Sequence, residues 1–153
     1  MSDFKEFDGI IAKLPFNQQI VCAVIVGLPF MVMYRATELW LSDVYLFEWM
    51  QRHHYMYIGF VLCLLSSYLP RFAIVAAYGD VVCIAAGEVL GQMIMEHSRA
   101  LATAEEIKRN YCMYDHNGFV IWLQLFFTVI VLYVAYARQI EPRIKARRER
   151  RGK

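Results

Sequence analysis

Two acids, Asp80 and Glu88, lie well inside one apolar stretch that runs from Phe72 to Met95. A carboxylate at membrane depth costs at least roughly 2.5–3.5 kcal/mol on insertion scales, so it needs a partner, a proton or a purpose. In a helix the eight-residue spacing puts the two acids ~12 Å apart along the axis and roughly 80° apart in projection, so both can face the interior of a bundle. One chemistry is a relay that passes a proton or an ion along that face. The other is packing, in which each acid is protonated or hydrogen-bonded, to Ser66, Ser67 or a tyrosine hydroxyl, and pins neighbouring helices. Gly79 stands beside Asp80, and Gly87 precedes Glu88 and pairs with Gly91 as GxxxG. Small residues at that spacing admit a close neighbour, either a partner helix or a second copy of the chain. With no second buried acid or base evident in the spans, packing is the better reading.

The histidines are the next candidates. His53, His54, His97 and His116 all fall at the same ends of apolar segments, where they could meet around one interfacial site. Haem or copper needs at least two ligands within bonding reach, each oriented by further hydrogen bonds. His54 and His116, each near the start of an apolar segment, are the best pair, but no HxxxH or HxxE spacing supports a ligand set. No metal or cofactor is therefore expected. Disulfide exchange needs paired thiols at the water interface. Cys22, Cys63, Cys83 and Cys112 form no CxxC, and the first three lie in apolar segments. That pattern argues against a disulfide-forming, quinone-linked enzyme, although a small four-helix protein of that type would share the topology. The chemistry that the acids and histidines leave open is a proton-coupled or redox membrane component, with haem or quinone as its cofactor.

These residues need elements to hold them, and the composition says what kind. The 153 residues are 59% hydrophobic, with a mean hydropathy of +0.36, which is too apolar for an ordinary soluble domain of this size. Four apolar segments stand out: Ile20 to Tyr34, Tyr55 to Leu69, Phe72 to Met95 and Phe119 to Ala137. Crossing a hydrocarbon core of ~30 Å takes about 20 residues. Spans over about 18–36, 55–69, 72–95 and 118–137 follow, in an all-α, polytopic four-span bundle. Residues 1–19 form a charged N-terminal tail, 20–137 the bundle and 138–153 a basic C-terminal tail. Pro70-Arg71 is the tight hairpin between the second and third spans. ATAEEIKR, in the loop before the last span, has its acids early and its bases late, as a short helix should. MVMYRATEL (31–39) resembles MIMEHSRAL (93–101) at an offset of 62, which also maps His54 onto His116; a duplicated helical hairpin would produce this, as would chance.

Base content orients the bundle. Lys5, Lys13, Arg71 and the eight bases from Arg138 onward fall on one face, against Arg35, Arg52, Arg99, Lys108 and Arg109 on the other. Both termini are thus expected on the cytosolic or nucleoplasmic side. Seven bases crowd the last eleven residues: Arg143, Lys145, Arg147, Arg148, Arg150, Arg151 and Lys153. Such a cluster neutralises phosphates without reading sequence, and equally serves as an anionic-lipid contact worth about 1 kcal/mol per base. The terminal RRGK resembles a divergent arginine/lysine retrieval signal, which points to the endoplasmic reticulum or nuclear envelope. A bacterial inner membrane would satisfy the same charge rule.

Residues 46–153 also resemble the transmembrane protein 18 family. The likeness runs from Ser66-Ser67 and Arg71 through Ala86-Gly87-Glu88 and Arg99 to Tyr114-Asp115-His116-Asn117-Gly118-Phe119, and ends in the basic tail. Gly91 departs from the family's asparagine, and the loop before Asp115 is longer. The resemblance implies a non-enzymatic nuclear-membrane protein whose tail binds DNA, tethering chromatin or repressing transcription. Asp115 and Gly118 also have a local reading: the acid caps the last helix at its N-terminus and the glycine turns the chain into it.

Overall fold

A computed structural model describes residues 14–111 and 114–143. It is all-helical, with no strand among the described residues. In order come α1 (Phe16–Trp40), α2 (Tyr45–Arg52), α3 (Met56–Ser66), α4 (Pro70–Leu101), α5 (Ala104–Arg109) and α6 (Gly118–Ala135), and α6 continues through a π-helical turn at Tyr136–Ile140. In an apolar medium every backbone amide must find its partner within its own segment, and only a helix gives a lone segment that.

Three helices are long and apolar enough to cross a membrane: α1 with 25 residues, α4 with 32, and the 26-residue run Gly118–Arg143. Their apolar surface faces outward. In α6 only 11% of the most apolar window is buried, and Phe127 and Val131 are 64% and 65% exposed. A water-soluble chain does not present bands of that size, whereas a lipid-facing one does. The chain is an integral membrane protein on these three helices.

The expected second span, 55–69, takes a different form. Its helix, α3, has 11 residues, a length of ~16 Å at 1.5 Å per residue and about half of a hydrocarbon core. The chain ahead of it is helical too, as α2, and the two are separated by a break at His53–Tyr55. His54 carries the break with φ 52, the single positive-φ non-glycine residue among those described. Histidine is one of the few side chains enriched in this left-handed region. The other end of α3 stops at Ser66, and Pro70 opens α4 at its first position, where its missing N–H costs nothing.

Helix α4 is central and contacts α1, α2, α3 and α6, while α1 packs chiefly on α3. Its inner face carries Ala73, Ala76, Ala77, Asp80, Cys83, Ile84, Gly87 and Gly91. That series steps by three or four residues, the period of one helix face. Contacts along α4 order the rest. Arg71 pairs with Glu141 at 2.6 Å, and the Leu14 amide donates to Ser67 O at 3.3 Å, so the start of α1 and the end of α6 meet at the hairpin end. Tyr55 reaches Asp80, and the Leu46 amide reaches Glu88. Helices α2 and α3 therefore run antiparallel to α4, from the Glu88 level down to the hairpin.

Candidate functional site

Asp80 is fully buried and accepts two hydrogen bonds, from Tyr55 Oη at 2.5 Å and from Trp122 Nε1 at 3.0 Å. Tyr55 stands at the start of α3 and Trp122 one turn into α6, so a single carboxyl joins three elements. The two rings meet edge to face at 5.3 Å, and Phe119 and Phe30 extend the aromatic seam on either side. Of the partners the sequence suggested, a tyrosine hydroxyl is one, while Ser66 turns back to donate to its own helix at Cys63 O. Trp122 was not anticipated. Its signal was available, since an indole N–H within an apolar span must find an acceptor.

Glu88 lies two turns further along, and its surroundings overturn the expectation that it lacks a buried partner. Oε2 accepts the Leu46 amide at 2.8 Å, which satisfies one free N–H in the first turn of α2. Oε1 lies 3.2 Å from His116 Nε2, off the line of a hydrogen bond, so the contact is close but not aligned. His116 is 8% exposed. Its Nδ1 accepts the Gly118 amide at 3.1 Å, so the ring proton sits on Nε2 in the neutral side chain. A nitrogen that carries a proton has no lone pair for a metal. His54 stands instead at the exposed α2–α3 break with its ring toward Tyr57, whereas the ring of His116 meets that of Tyr45. No group of three metal-binding side chains occurs among the described residues.

The bond from Gly118 to His116 also reassigns the helix cap. Asn117 occupies the cap position of α6 without a side-chain hydrogen bond, and His116 Nδ1 takes the first helical amide. Asp115 lies two residues ahead of that cap position and accepts the His116 amide at 2.8 Å instead. Gly118 makes no positive-φ turn either. It is small because α4 and α6 touch there: a Cβ on Gly91 would fall 2.6 Å from Gly118 N, and one on Gly118 would fall 2.9 Å from Gly87 O. The GxxxG face is thus filled by the chain's own last helix. Arg99 steadies the approach to α6 by donating from Nε to Tyr114 O at 2.8 Å.

The two acids therefore belong to different environments. Between them the inner face of α4 is Cys83, Ile84 and Gly87, and Trp122 packs against Gly87. Asp80 is a packing node. Glu88 and His116 line an open cavity of about 510 Å³ together with Asp43, Val44, Tyr45, Gln92, Met95 and Asp115. That cavity is at the end of the bundle away from the hairpin.

Of the basic tail, Arg143 is described and exposed at the end of α6. Lys145, Arg147, Arg148, Arg150, Arg151 and Lys153 lie outside the described residues, as does Cys112. No protein-family model, curated protein or solved structure matches this chain.

Proposed function

We propose that this chain is a non-enzymatic, four-crossing membrane protein of the nuclear envelope or endoplasmic reticulum whose basic C-terminal tail binds DNA or another polyanion and so tethers it to the membrane. The observation that carries this is the contact between Arg71 and Glu141. It ties the last helix to the hairpin end, the same end at which Leu14 meets Ser67. The seven bases from Arg143 to Lys153 follow in sequence a helix that finishes beside Arg71 and the lead-in to α1. Excess base marks the side that is not translocated. A cytosolic or nucleoplasmic polyanion is what such a face meets. The resemblance to the transmembrane protein 18 family points the same way.

The fourth crossing is the α2–α3 pair, acting as one broken helix. From Tyr45 to Ser66 the two helices and their joint cover 22 residues, or ~33 Å at helical rise, close to the ~30 Å of a hydrocarbon core. The charges on α2, Glu48 and Arg52, pair at 2.5 Å. Side chains tilt toward a helix's N-terminus, so both lean toward the nearer interface rather than the bilayer centre.

The test uses the full-length protein in nanodiscs of neutral phosphatidylcholine, titrated with a short labelled DNA duplex at several salt concentrations. Binding should weaken linearly on a log–log plot with a slope of up to about −6, since each phosphate neutralised contributes ~0.9. Changing the seven tail bases to glutamine should abolish it. Absence of binding at 50 mM salt, or binding that survives the seven changes, contradicts the proposal. If the tail engages phosphatidylserine vesicles but not DNA, it is a lipid anchor and the DNA assignment fails.

A further inference from the structure

Helix α2 carries ionisable side chains on its outer surface at a depth where lipid would be. Arg71 marks one boundary of the apolar slab, and α4 climbs ~26 Å from there to Glu88, close to the ~30 Å of a hydrocarbon core. The other spans agree, since α1 has no charge before Arg35 and α6 has none before Arg138. Asp80 is then near the middle of the slab and Glu88 near its far boundary. The Leu46 amide meets Glu88 and Tyr55 meets Asp80, so residues 46–55 descend from that boundary toward the centre. Within this stretch Glu48 and Arg52 expose 40% and 74% of their side chains, and His54 and Tyr57 beyond them are exposed as well. Ionisable residues inside a membrane almost always face other protein or a water-filled cavity, because lipid solvates them poorly.

We propose that the outer strip of α2–α3, from Glu48 to Tyr57, is the interface of a homodimer. Its charge pattern is self-complementary. Arg52 lies one turn deeper than Glu48, and its guanidinium reaches back to contact the Glu48 carboxylate at 2.5 Å, which brings the two charges to one height. A two-fold axis along the membrane normal relates copies inserted in the same sense and sets two such pairs side by side. Each guanidinium is a planar fork with five N–H groups, enough for its own Glu48 and for the partner's Glu48. The result is a ring of two acids and two bases without net charge, shielded from lipid by both copies. A purely acidic partner would oppose Glu48 and a purely basic one would oppose Arg52. The glycine face of α4, where a second copy could otherwise dock, is already filled by α6. This interface requires the α2–α3 crossing proposed above.

The experiment is energy transfer between full-length copies labelled at the N-terminus with donor or acceptor and reconstituted together in phosphatidylcholine vesicles over a range of protein-to-lipid ratios. The wild type should associate. Glu48→Arg puts two bases in the strip and Arg52→Glu two acids, so each should self-associate at least about tenfold more weakly, like charges now facing each other. Mixed together, the two variants should associate as the wild type does, because each acid again faces a base. A pair that acts only within its own chain gives no such rescue. Tyr57→Cys, at a position 71% exposed, is a second probe that leaves the charges intact. Copper–phenanthroline oxidation should couple it into a dimer above the background of the wild type's own cysteines, whereas Phe127→Cys, exposed on α6, should not couple. If either charge variant fails to insert, Tyr57→Cys decides alone. Protease protection of the same vesicles reports the crossing separately, so termini on one side without association sink the dimer and leave the crossing standing. A monomeric wild type, whose strip faces another protein or lipid, overturns the proposal. So does a mixture of correctly inserted variants without rescue, or Tyr57→Cys that couples no better than Phe127→Cys.

Discussion

At the scale of residues, each polar group inside the apolar spans needs a partner, and the partner fixes how the helices pack. Asp80 accepts from two neutral donors, so its loss strands both a hydroxyl and an indole N–H in the core. Each buried donor left without a partner costs about 1–3 kcal/mol, against about 0.5–1.5 for a hydrogen bond removed cleanly. Tyr55→Phe should therefore lower stability by roughly 1 kcal/mol and Asp80→Leu by roughly 2–6 kcal/mol, with Asp80→Asn between them because its amide oxygen keeps one acceptor. Thermal unfolding in detergent gives the order directly. A relay acid would show the reverse pattern, with little loss of stability from any of the three. The need for partners was legible in the two acids themselves. Which partners was not, because Tyr55 and Trp122 are 25 and 42 residues away and meet Asp80 only once three helices have packed. His116 is likewise a possible ligand by sequence, whereas its Nδ1 accepts a helix amide and its Nε2 lies 3.2 Å from a carboxylate without aligning to it.

At the scale of elements, local signals were read well and tertiary ones poorly. ATAEEIKR becomes α5, capped as its composition suggests: Glu106 Oε2 accepts the Thr103 amide at 2.8 Å, and Thr103 Oγ accepts the Glu106 amide at 3.4 Å. Hydrogen bonds from the Thr103 amide and then its hydroxyl hold the Glu106 carboxyl below the ordinary range. Its value is lower folded than unfolded, so the cap stabilises α5 at neutral pH and is lost as pH falls below the ordinary glutamate value of ~4.3 and through the depressed one. Hydrogen exchange of the Ile107 to Arg109 amides, corrected for intrinsic rate, should accelerate across that acid window in the wild type. It should be already fast and flat with pH in Glu106→Gln. The helix ahead of the second apolar segment, by contrast, gave no such signal: Glu48, Gln51 and Arg52 interrupt its apolar content before His53-His54, and nothing local announces a left-handed residue at His54. The repeat at an offset of 62 was also visible, and its members occupy matching places. MVMYRATEL and MIMEHSRAL finish α1 and α4, and His54 and His116 each stand two residues ahead of the next helix.

At the scale of the whole molecule, the bundle has two chemically different ends. One gathers the hairpin, the lead-in to α1 and the end of α6; the other carries the carboxylate-lined cavity with His116. The all-helical, membrane-embedded class was legible from hydropathy alone, because length and apolar content decide whether a helix can cross. The number of crossings was not legible in the same way, since α3 by itself is too short to cross and the proposed fourth crossing needs α2 as well. That number is the central claim, because it decides whether the tail and the N-terminus face the same compartment. The direct measurement is protease protection in sealed vesicles, with one epitope at the N-terminus, one at the C-terminus and one inserted after Asn110. Four crossings predict that the two terminal epitopes are cleaved together while the inserted one is protected, or the reverse in inverted vesicles. If the terminal epitopes lie on opposite sides, the α2–α3 segment does not cross and the account is wrong.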